Sequence, residues 1–517
     1  MKVGTMFDGN ASRHPDKPAV ILGHERITFG ELAQSSTRVA HGLRKRGLKV
    51  GDRVVVYAGN TLDLLRAIFG IWKAGGMVVP VTTWITGREL TYMVGDCKPW
   101  AVVHGPEQAA AVAEATAELA DTRRIVIGGP AEGPNAIPFG TLAEGMPDAP
   151  IRLDAEPDLS MINYTSGTTG RPKGAVVTHA NLVLGAMFTA SLWTTTPDDV
   201  YMVTTPIAHR TGLSRLMSCC VLGATVVMMP RFEARQAVEL IERNGVTIFG
   251  CVPTVARILL DFLDKTDHQC PTMRLLLATG EAFPIALKQR LKKRLPKVGL
   301  YSFYALTEAG VPAALGPEDQ DSRPGSCGRP MPGMEIRLLD PEGRDVPEGE
   351  SGEIAVRWGA RGRGMVILEY FNRPDANAAS FDGDWFKTGD VGRFDDDGFL
   401  YLVDRAKDMI ISGGLNIYSR EVEQAIEAMP GVAEVAVVGA PDAQFGEAVC
   451  AYVVRRDGAD IDAAGVVEHC RRELAGYKKP KHVFFMEKLP RNASGKVLKP
   501  ELRKLAVAEV AAEPAGS

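Results

Sequence analysis

The chain has 517 residues, a formal net charge of −4, and 45% hydrophobic and 24% charged residues. This length exceeds one typical compact domain and allows a large buried core. The slightly negative charge offers no general attraction for nucleic acid or an anionic membrane, so any anionic ligand must be held by local groups.

The cysteines and the N-terminal residues favour a reducing compartment. None of the eight cysteines forms a C-x-x-C pair, and eight in so long a chain do not make a disulfide framework. Residues 1–16 lack the apolar stretch of a signal peptide, and no apolar run approaches the roughly 18 residues that span a bilayer. We therefore expect a cytoplasmic protein with free thiols, no membrane segment and no nucleic-acid partner.

The first 400 or so residues alternate short β-branched runs with helical patterns. Strands are predicted at 53–56, 77–81, 101–103 and 124–127, and again at 200–204, 224–229, 248–252 and 275–278, with helices such as 62–74 between them. This alternation is typical of parallel sheets covered by helices.

The pattern changes near residue 325, where predicted strands at 336–339, 352–357 and 399–403 are separated by turn residues, as in antiparallel sheet. After a charged segment at 404–408 the pattern is α+β, with helices at 419–428 and 463–474 and strands at 432–438, 449–455 and 482–485. We predict a large N-terminal domain of parallel-rich α/β layers with a β-rich subdomain (1–403), a hinge (404–408) and a small mobile α+β domain (409–517).

The strongest local motif lies between predicted strands at 160–163 and 175–177. Its glycines bring backbone N–H groups close to a ligand, and its hydroxyls and lysine are donors suited to phosphate oxygens. It is not a Walker A loop, and the chain has no complete dinucleotide fingerprint. The segment reads Tyr164, Thr165, Ser166, Gly167, Thr168, Thr169, Gly170, Arg171, Pro172, Lys173, Gly174.

This segment resembles the phosphate-binding loop of the adenylate-forming superfamily, which contains acyl-CoA synthetases, nonribosomal-peptide adenylation domains and beetle luciferases. Further motifs follow in the family's order, from residues 27–32 to Lys496. The similarity is greatest to acyl-CoA ligases. It implies an acid–thiol ligase that uses ATP, Mg²⁺ and coenzyme A, converting a fatty, alicyclic or aryl acid to acyl-AMP plus pyrophosphate and then to acyl-CoA plus AMP. A homodimer is a further expectation.

Two segments resemble the family's adenine and metal sites. Gly280, Glu281 and Ala282 resemble the adenine-binding turn, with an ordinary strand-to-helix turn as the alternative. Residues 304–308 resemble a Y-G-x-T-E motif, which implies that the tyrosine stacks on adenine, the threonine meets phosphate and the glutamate helps to hold Mg²⁺. The corresponding residues are Tyr304, Thr307 and Glu308, with Ala305 where the family usually has glycine, a change that would narrow the acyl pocket.

Three later residues complete the expected adenylation site. Asp390, in a Thr-Gly-Asp motif, and Arg405 are the implied ribose contacts, since a carboxylate can accept from both ribose hydroxyls. Lys496 resembles the catalytic lysine, which would offset repulsion between the attacking carboxylate and the α-phosphate in the transition state.

His209 corresponds to the family's gate between the nucleotide and the acyl pocket, and a buried core histidine is the alternative. The adjacent Arg210 suggests a second carboxylate on the substrate. An arginine beside a pocket is more often structural or outward-facing, and the sequence favours that alternative.

The resemblance also assigns the thiol half-reaction to the C-terminal domain. Lys407 matches the hinge position, about which relatives rotate this domain after adenylation. Gly413 and Gly414 would line the pantetheine tunnel. The coenzyme A adenine and phosphates would meet Tyr477, Lys479 and Lys481, for which a solvated surface run is the alternative.

Three other functions remain open from the sequence. An amino-acid adenylation module that loads a carrier protein would need a carboxylate in residues 207–211, and none is present. A luciferase-like oxygenase would share every nucleotide motif. A nucleotide-binding sensor without chemistry is disfavoured by the presence of Glu308, Asp390 and Lys496 together.

Overall fold

The computed structural model describes residues 2–133, 135–153, 158–165, 171–279, 283–405, 408–413, 415–442, 444–491 and 497–512. The chain divides into two compact units. The first comprises Met1–Ile336 and Val356–Phe386, and the second comprises Arg337–Ala355 and Lys387–Ser517. This division by compactness does not test where the chain bends, so the hinge at 404–408 stays a prediction.

The helices are α1 Val3–Arg13, α2 Phe29–Lys45, α3 Leu62–Lys73, α4 Gly87–Cys97, α5 Ala109–Ala115, α6 His179–Leu192, α7 Arg210–Leu222, α8 Ala234–Asn244, α9 Pro253–Leu263, α10 Ile285–Arg294, α11 Pro374–Ser380, α12 Ser419–Glu427, α13 Ala463–Glu473 and α14 Lys499–Ala512.

The strands are β1 Pro18–Leu22, β2 Glu25–Thr28, β3 Arg53–Tyr57, β4 Met77–Pro80, β5 Ala101–His104, β6 Arg123–Val126, β7 Ala136–Pro138, β8 Leu159–Thr165, β9 Lys173–Thr178, β10 Val200–Val203, β11 Thr225–Met228, β12 Ile248–Cys251, β13 Leu275–Ala278, β14 Gly299–Leu306, β15 Gly310–Leu315, β16 Arg329–Pro330, β17 Glu335–Leu339, β18 Gly352–Arg357, β19 Glu369–Tyr370, β20 Phe381–Asp382, β21 Trp385–Phe394, β22 Leu400–Arg405, β23 Ile410–Ser412, β24 Leu415–Ile417, β25 Val432–Asp442, β26 Gly446–Arg455 and β27 His482–Phe485.

The first unit contains two large sheets, in the strand orders β19-β9-β8-β4-β3-β5-β6-β7 and β16-β15-β14-β13-β12-β10-β11-β1-β2. Their inner strands pair in parallel, as in β3 with β4 and β5, and β12 with β10 and β13. Val54, Val55 and Val56 of β3 are all buried, because helices cover both faces of such a sheet. The predicted parallel α/β architecture is confirmed.

Local sequence signals set the helix starts in this unit. Thr28 and Glu31 form a capping box at the start of α2, in which the Thr28 hydroxyl accepts from the Glu31 N–H and the Glu31 carboxylate accepts from the Thr28 N–H. The Thr61 hydroxyl accepts from the Leu64 N–H at the start of α3. Helix α2 packs against α3, and α3 contacts β3 and β4 of the sheet that carries the phosphate-loop motif.

In the second unit, a long antiparallel pair formed by β25 and β26 divides two cores. Val437 and Val438 are neighbours in β25 but pack on opposite faces, since successive strand side chains alternate. One face packs against α12 and α13, and the other packs against α14 through Leu502. The strand β27 pairs in parallel with β26, so the predicted α+β character is observed here.

Two absences predicted from the sequence can be examined within the described residues. The cysteines at 97, 220, 251, 270, 327, 450 and 470 are free thiols. Across the same described ranges, no helix has both the length and the apolar character needed to cross a membrane.

Candidate active site

The phosphate-loop motif starts and ends on a hairpin. Strands β8 and β9 pair antiparallel, with Thr165 opposite Lys173 and Tyr164 opposite Gly174. A Cβ added at Gly174 would lie 2.6 Å from the Ile162 side chain, so the hairpin needs glycine there. The predicted phosphate-binding residues between the two strands, Ser166, Gly167, Thr168, Thr169 and Gly170, lie outside the described residues.

Glu308 is brought to the end of β8 by the second sheet. It follows β14, and its Oε1 accepts hydrogen bonds from Thr165 Oγ1 at 3.3 Å and from the Tyr370 hydroxyl at 2.9 Å. Thr165 and Glu308 are 143 residues apart in sequence. The structure therefore brings together two residues that the sequence predicted separately for the same nucleotide.

Tyr370 is a site residue that the sequence analysis missed. It lies on the two-residue strand β19, opposite Ala175 of β9, and Lys173 Nζ lies 5.1 Å from the centroid of its ring. Burial and the adjacent Glu308 raise the pKa of Tyr370, so its hydroxyl keeps its proton and donates. A lone tyrosine in an irregular segment carries no motif that would have identified it.

A second polar network holds the outer side of the hairpin. The Tyr164 hydroxyl donates to Asp96 Oδ2 at 2.6 Å, and Arg373 Nη2 donates to Asp96 Oδ1 at 3.1 Å and to the Tyr92 hydroxyl. Asp96 comes from α4 and Arg373 precedes α11. The hairpin is thus fixed on both sides, by Glu308 and by Asp96, and neither Asp96 nor Arg373 was predicted.

The other two residues of the Y-G-x-T-E motif lie on or directly after β14. Tyr304 is buried, and Thr307 is half-buried next to Glu308. The register between β14 and β15 shifts between Tyr304 and Leu306, so Ala305 is the irregular residue of the strand. Such bulges redirect side chains and are common next to active sites. Gly280, Glu281 and Ala282, the predicted adenine turn, lie outside the described residues.

His209 and Arg210 occupy opposite environments although they are adjacent. His209 is exposed, so the alternative of a buried core histidine is wrong, and its Nδ1 accepts from the Thr211 N–H at 3.3 Å. Arg210 begins α7 and is only 8% exposed, so an outward-facing arginine is also wrong. Burial lowers the pKa of Arg210 to about 10, and the charge of Glu308 opposes that shift.

Asp390 and Arg405 are paired within the second unit. They are direct neighbours across β21 and β22, and Arg405 Nε lies 3.2 Å from Asp390 Oδ1. Asp390 is buried and its N–H donates to Thr388 Oγ1. Gly389 has a φ of +74°, a conformation that favours glycine. The Thr-Gly-Asp motif therefore lies within β21, where the pairing with Arg405 on β22 holds the Asp390 carboxylate.

Two of the predicted coenzyme A residues, Gly413 and Lys481, meet the turn between β25 and β26, where the Asp442 carboxylate accepts from the Phe445 N–H. The Gly413 N–H donates to the Phe445 carbonyl at 2.8 Å, Tyr477 is exposed, Lys479 is half-buried, and Lys481 pairs with Asp442. Lys481 holds the pKa of Asp442 down at about 2. The hinge residue Lys407, the tunnel residue Gly414 and the catalytic candidate Lys496 lie outside the described residues.

A metal ion at Glu308 would need ligands from a substrate. Within the described ranges no group of three His, Cys, Asp or Glu side chains is arranged to hold a metal. Mg²⁺ is commonly held by one or two carboxylates together with phosphate oxygens and water. Glu308 uses only Oε1 in its two hydrogen bonds, so its carboxylate fits that coordination.

Sequence comparisons cover nearly the whole chain. A model of the family described as AMP-binding enzyme matches residues 7–365, and one of the AMP-binding enzyme C-terminal domain matches residues 421–496. A feruloyl-CoA synthase of Amycolatopsis sp is 35% identical over 500 residues, which cover 96% of this chain and 97% of that protein. The long-chain-fatty-acid–CoA ligase FadD13 of Mycobacterium tuberculosis is 33% identical over 488 residues, 93% of each chain.

The fold comparison agrees. The crystal structure of ATP-bound MatB from Rhodopseudomonas palustris matches with a TM-score of 0.85 and 33% sequence identity, covering 98% of this chain and 99% of that one. The similarity extends over both units.

Proposed function

Since this chain belongs to the AMP-binding enzyme family and is an AMP-forming acyl-CoA ligase that uses ATP, Mg²⁺ and coenzyme A, we propose that its substrate is a fatty, alicyclic or aryl carboxylic acid activated as acyl-AMP. The two relatives named above act on acids as different as a feruloyl group and a long-chain fatty acid. Family membership alone therefore does not name the acid.

In the first half-reaction a carboxylate oxygen attacks the α-phosphorus of ATP, and the bond from that phosphorus to pyrophosphate breaks. We assign the β- and γ-phosphates to the loop that includes Thr165 and Lys173, and the α-phosphate to Thr307. The donors are backbone N–H groups, hydroxyls and one ammonium, which suit phosphate oxygens. Lys496 would bridge the carboxylate and phosphate oxygens where their repulsion is greatest.

The observation that carries this proposal is the convergence on Glu308. Thr165 from the phosphate-loop hairpin and Tyr370 from the adjacent strand both donate to one oxygen of its carboxylate. Mg²⁺, when bound, would neutralise charge on the phosphates. Tyr370 and Thr165 hold the Glu308 carboxylate in one orientation before substrate arrives, and such preorganisation lowers the barrier.

We propose the remaining nucleotide contacts from the motifs that resemble the family. We assign the ribose hydroxyls to Asp390 and to Arg405, which lies 3.2 Å from it, and the adenine to Tyr304 and residues 280–282. His209, exposed at the start of α7, is proposed as the gate between the nucleotide and the acyl pocket.

In the second half-reaction the sulfur of coenzyme A attacks the acyl carbonyl and AMP leaves. We propose that the C-terminal domain rotates about Lys407 to bring a thiol-delivery face to the site. Gly413 and Gly414 would line the pantetheine path, and Tyr477, Lys479 and Lys481 would bind the nucleotide end. For Lys481 this requires sharing its ammonium between phosphate and its partner Asp442.

A panel of acids incubated with ATP, Mg²⁺ and coenzyme A tests the proposal, with AMP, ADP, pyrophosphate and thioester measured together. We expect AMP, pyrophosphate and thioester in equal amounts for accepted acids of the fatty, alicyclic or aryl classes. ADP with orthophosphate, or no turnover with any of the three classes, would contradict the proposal.

A further inference from the structure

Helix α7 carries two buried guanidinium groups near its start. Arg210 is 8% exposed and Arg215 is 2% exposed. Burying a charge is costly unless it is paired or fully hydrogen-bonded. Among the described residues neither arginine forms an ion pair with a carboxylate, and both have a buried Nε without a hydrogen-bond partner. The burial of two arginine side chains on one helix without carboxylate partners therefore needs an explanation.

Arg215 has a structural reason. Its Nη2 donates to the carbonyl oxygens of Cys251 at 3.2 Å and Leu277 at 3.4 Å, and its Nη1 donates to Thr205 Oγ1 at 3.5 Å. These acceptors lie at the carboxyl ends of β12 and β13 and just after β10. A Cβ added at Gly250 would lie 2.9 Å from this guanidinium. Arg215 therefore ties together the strand ends where ligands of parallel sheets bind.

Arg210 has no comparable set of acceptors. Its one hydrogen bond to the described residues runs from Nη1 to Ser214 Oγ at 2.9 Å, although a guanidinium has five N–H donors. Segment 205–209 folds back on the first turn of α7, since a Cβ at Gly212 would lie 2.2 Å from the Pro206 carbonyl oxygen. Arg210 is thus enclosed beside the proposed gate His209. The negative charge of Glu308 is close enough to raise the pKa of Arg210.

The occupant that suits this environment is an anion. An apolar acyl chain against Arg210 would leave a desolvated cation without a partner, which is strongly unfavourable. A planar carboxylate would instead accept two parallel N–H bonds from the guanidinium. The ATP phosphates are already assigned to Lys173 and the loop donors. The acid substrate is the remaining ligand that could bring a negative charge to the Arg210 guanidinium.

We propose that Arg210 binds a second carboxylate on the acid substrate, so that this ligase selects dicarboxylic acids over monocarboxylic acids of the same length. This inference rests on the proposed function, because it assigns Arg210 to the acyl pocket of that reaction. Arg210 is a specificity-determining residue, and Ser214 positions it.

The test compares aliphatic and aryl dicarboxylic acids of graded length with their monomethyl esters, which keep the reacting carboxylate and lose the second charge. For the wild-type protein we expect kcat/KM at least about tenfold higher for the diacid of the best length than for its ester. Arg210→Met should lower kcat/KM for that diacid about 10²-fold and leave the ester within about threefold. Arg210→Lys should recover part of the preference.

One control variant and two further measurements separate specificity from folding and from nucleotide binding. Arg257→Gln removes an exposed guanidinium of α9 and should leave both substrates unchanged. The melting temperature of Arg210→Met should equal or exceed that of the wild type, because replacing an unpaired buried charge by an apolar side chain is often neutral or stabilising. The KM for ATP should stay unchanged in Arg210→Met.

Four outcomes overturn the inference. Activity with monocarboxylic acids and no preference for diacids would reject it while the proposed function stands. Equal losses for diacid and ester in Arg210→Met, or a raised KM for ATP with every acid, would assign Arg210 to the reacting centre instead. A chain that forms AMP with no acid at all would reject the proposed function and the inference together.

Discussion

Glu308 and its two donors show how far individual site residues can be predicted. Thr165 and Glu308 belong to ordered motifs, so the chemistry of each could be expected from the sequence. Tyr370 could not, because it acts through one hydrogen bond from a two-residue strand. Asp96 and Arg373 were missed for the same reason, since only the fold brings Asp96 to Tyr164 and Arg373 to Asp96.

Tyr370→Phe should therefore slow adenylation without unfolding the protein. Loss of a hydroxyl that donates to the half-buried Glu308 carboxylate removes about 1 kcal/mol of orienting interaction. We therefore expect kcat for acyl-AMP formation to fall about fivefold to tenfold. Single-turnover measurement of pyrophosphate release checks this. Tyr301→Phe is the matched control, because the Tyr301 hydroxyl donates to the Leu192 carbonyl; it should leave kcat unchanged. Equal rates of acyl-AMP formation for Tyr370→Phe and wild type would show that the Tyr370 hydroxyl does not contribute to adenylation.

At the scale of elements, the predicted and missed segments differ in what stabilises them. Strands such as β3 and β13 are buried on both faces, so their apolar runs identify them. Helix α1 was not predicted, since Val3–Arg13 contains two glycines, an asparagine and a serine. Tertiary contacts stabilise it instead: Asn10 Nδ2 donates to the carbonyl oxygens of Cys220 at 2.6 Å and Val221 at 2.8 Å in α7.

The start of α6 should make unfolding depend on pH. His179 is buried, its Nδ1 accepts from the Val3 N–H, and burial together with nearby positive charge lowers its pKa to about 3. Below pH 6.5 the His179 imidazole binds a proton in the unfolded chain but stays neutral in the folded chain. The stability contributed by neutral His179 is therefore fully present above pH 6.5 and is lost as the pH falls towards 3.

His179→Gln should flatten this acid dependence by up to about 1.4 kcal/mol per pH unit. The measurement is the free energy of urea unfolding of the whole protein as a function of pH, and the exposed His14→Gln is the control. An unchanged slope in His179→Gln would show that the imidazole is not held neutral in the folded protein.

At the scale of the whole molecule, the order of motifs predicted the family and the two half-reactions, whereas the domain bounds stay predictions. The second compact unit begins with Arg337–Ala355 and resumes at Lys387, well before the predicted hinge at 404–408. Compactness reports which residues pack together, whereas a hinge is set by which dihedral angles change between states. The hinge and the role of Lys407 therefore stay predictions.

Lys496→Ala tests the division of labour between the two half-reactions. If this lysine acts only in adenylation, the variant should lose about 10²-fold or more in acyl-AMP formation. It should retain near wild-type thioester formation from preformed acyl-AMP and coenzyme A. Lys499→Ala is a control in the same unit, since Lys499 pairs with Glu423 at 2.7 Å and should alter stability rather than either rate. Equal loss in both half-reactions would contradict domain alternation.

The most direct test of acyl-AMP formation is pyrophosphate exchange without coenzyme A. With ATP, Mg²⁺ and an accepted acid, labelled pyrophosphate should enter ATP, because the first half-reaction is reversible and complete without the thiol. Exchange should require the acid and should fall in Lys496→Ala. Exchange that appears only when coenzyme A is added, or ADP as the nucleotide product, would contradict acyl-AMP as the intermediate.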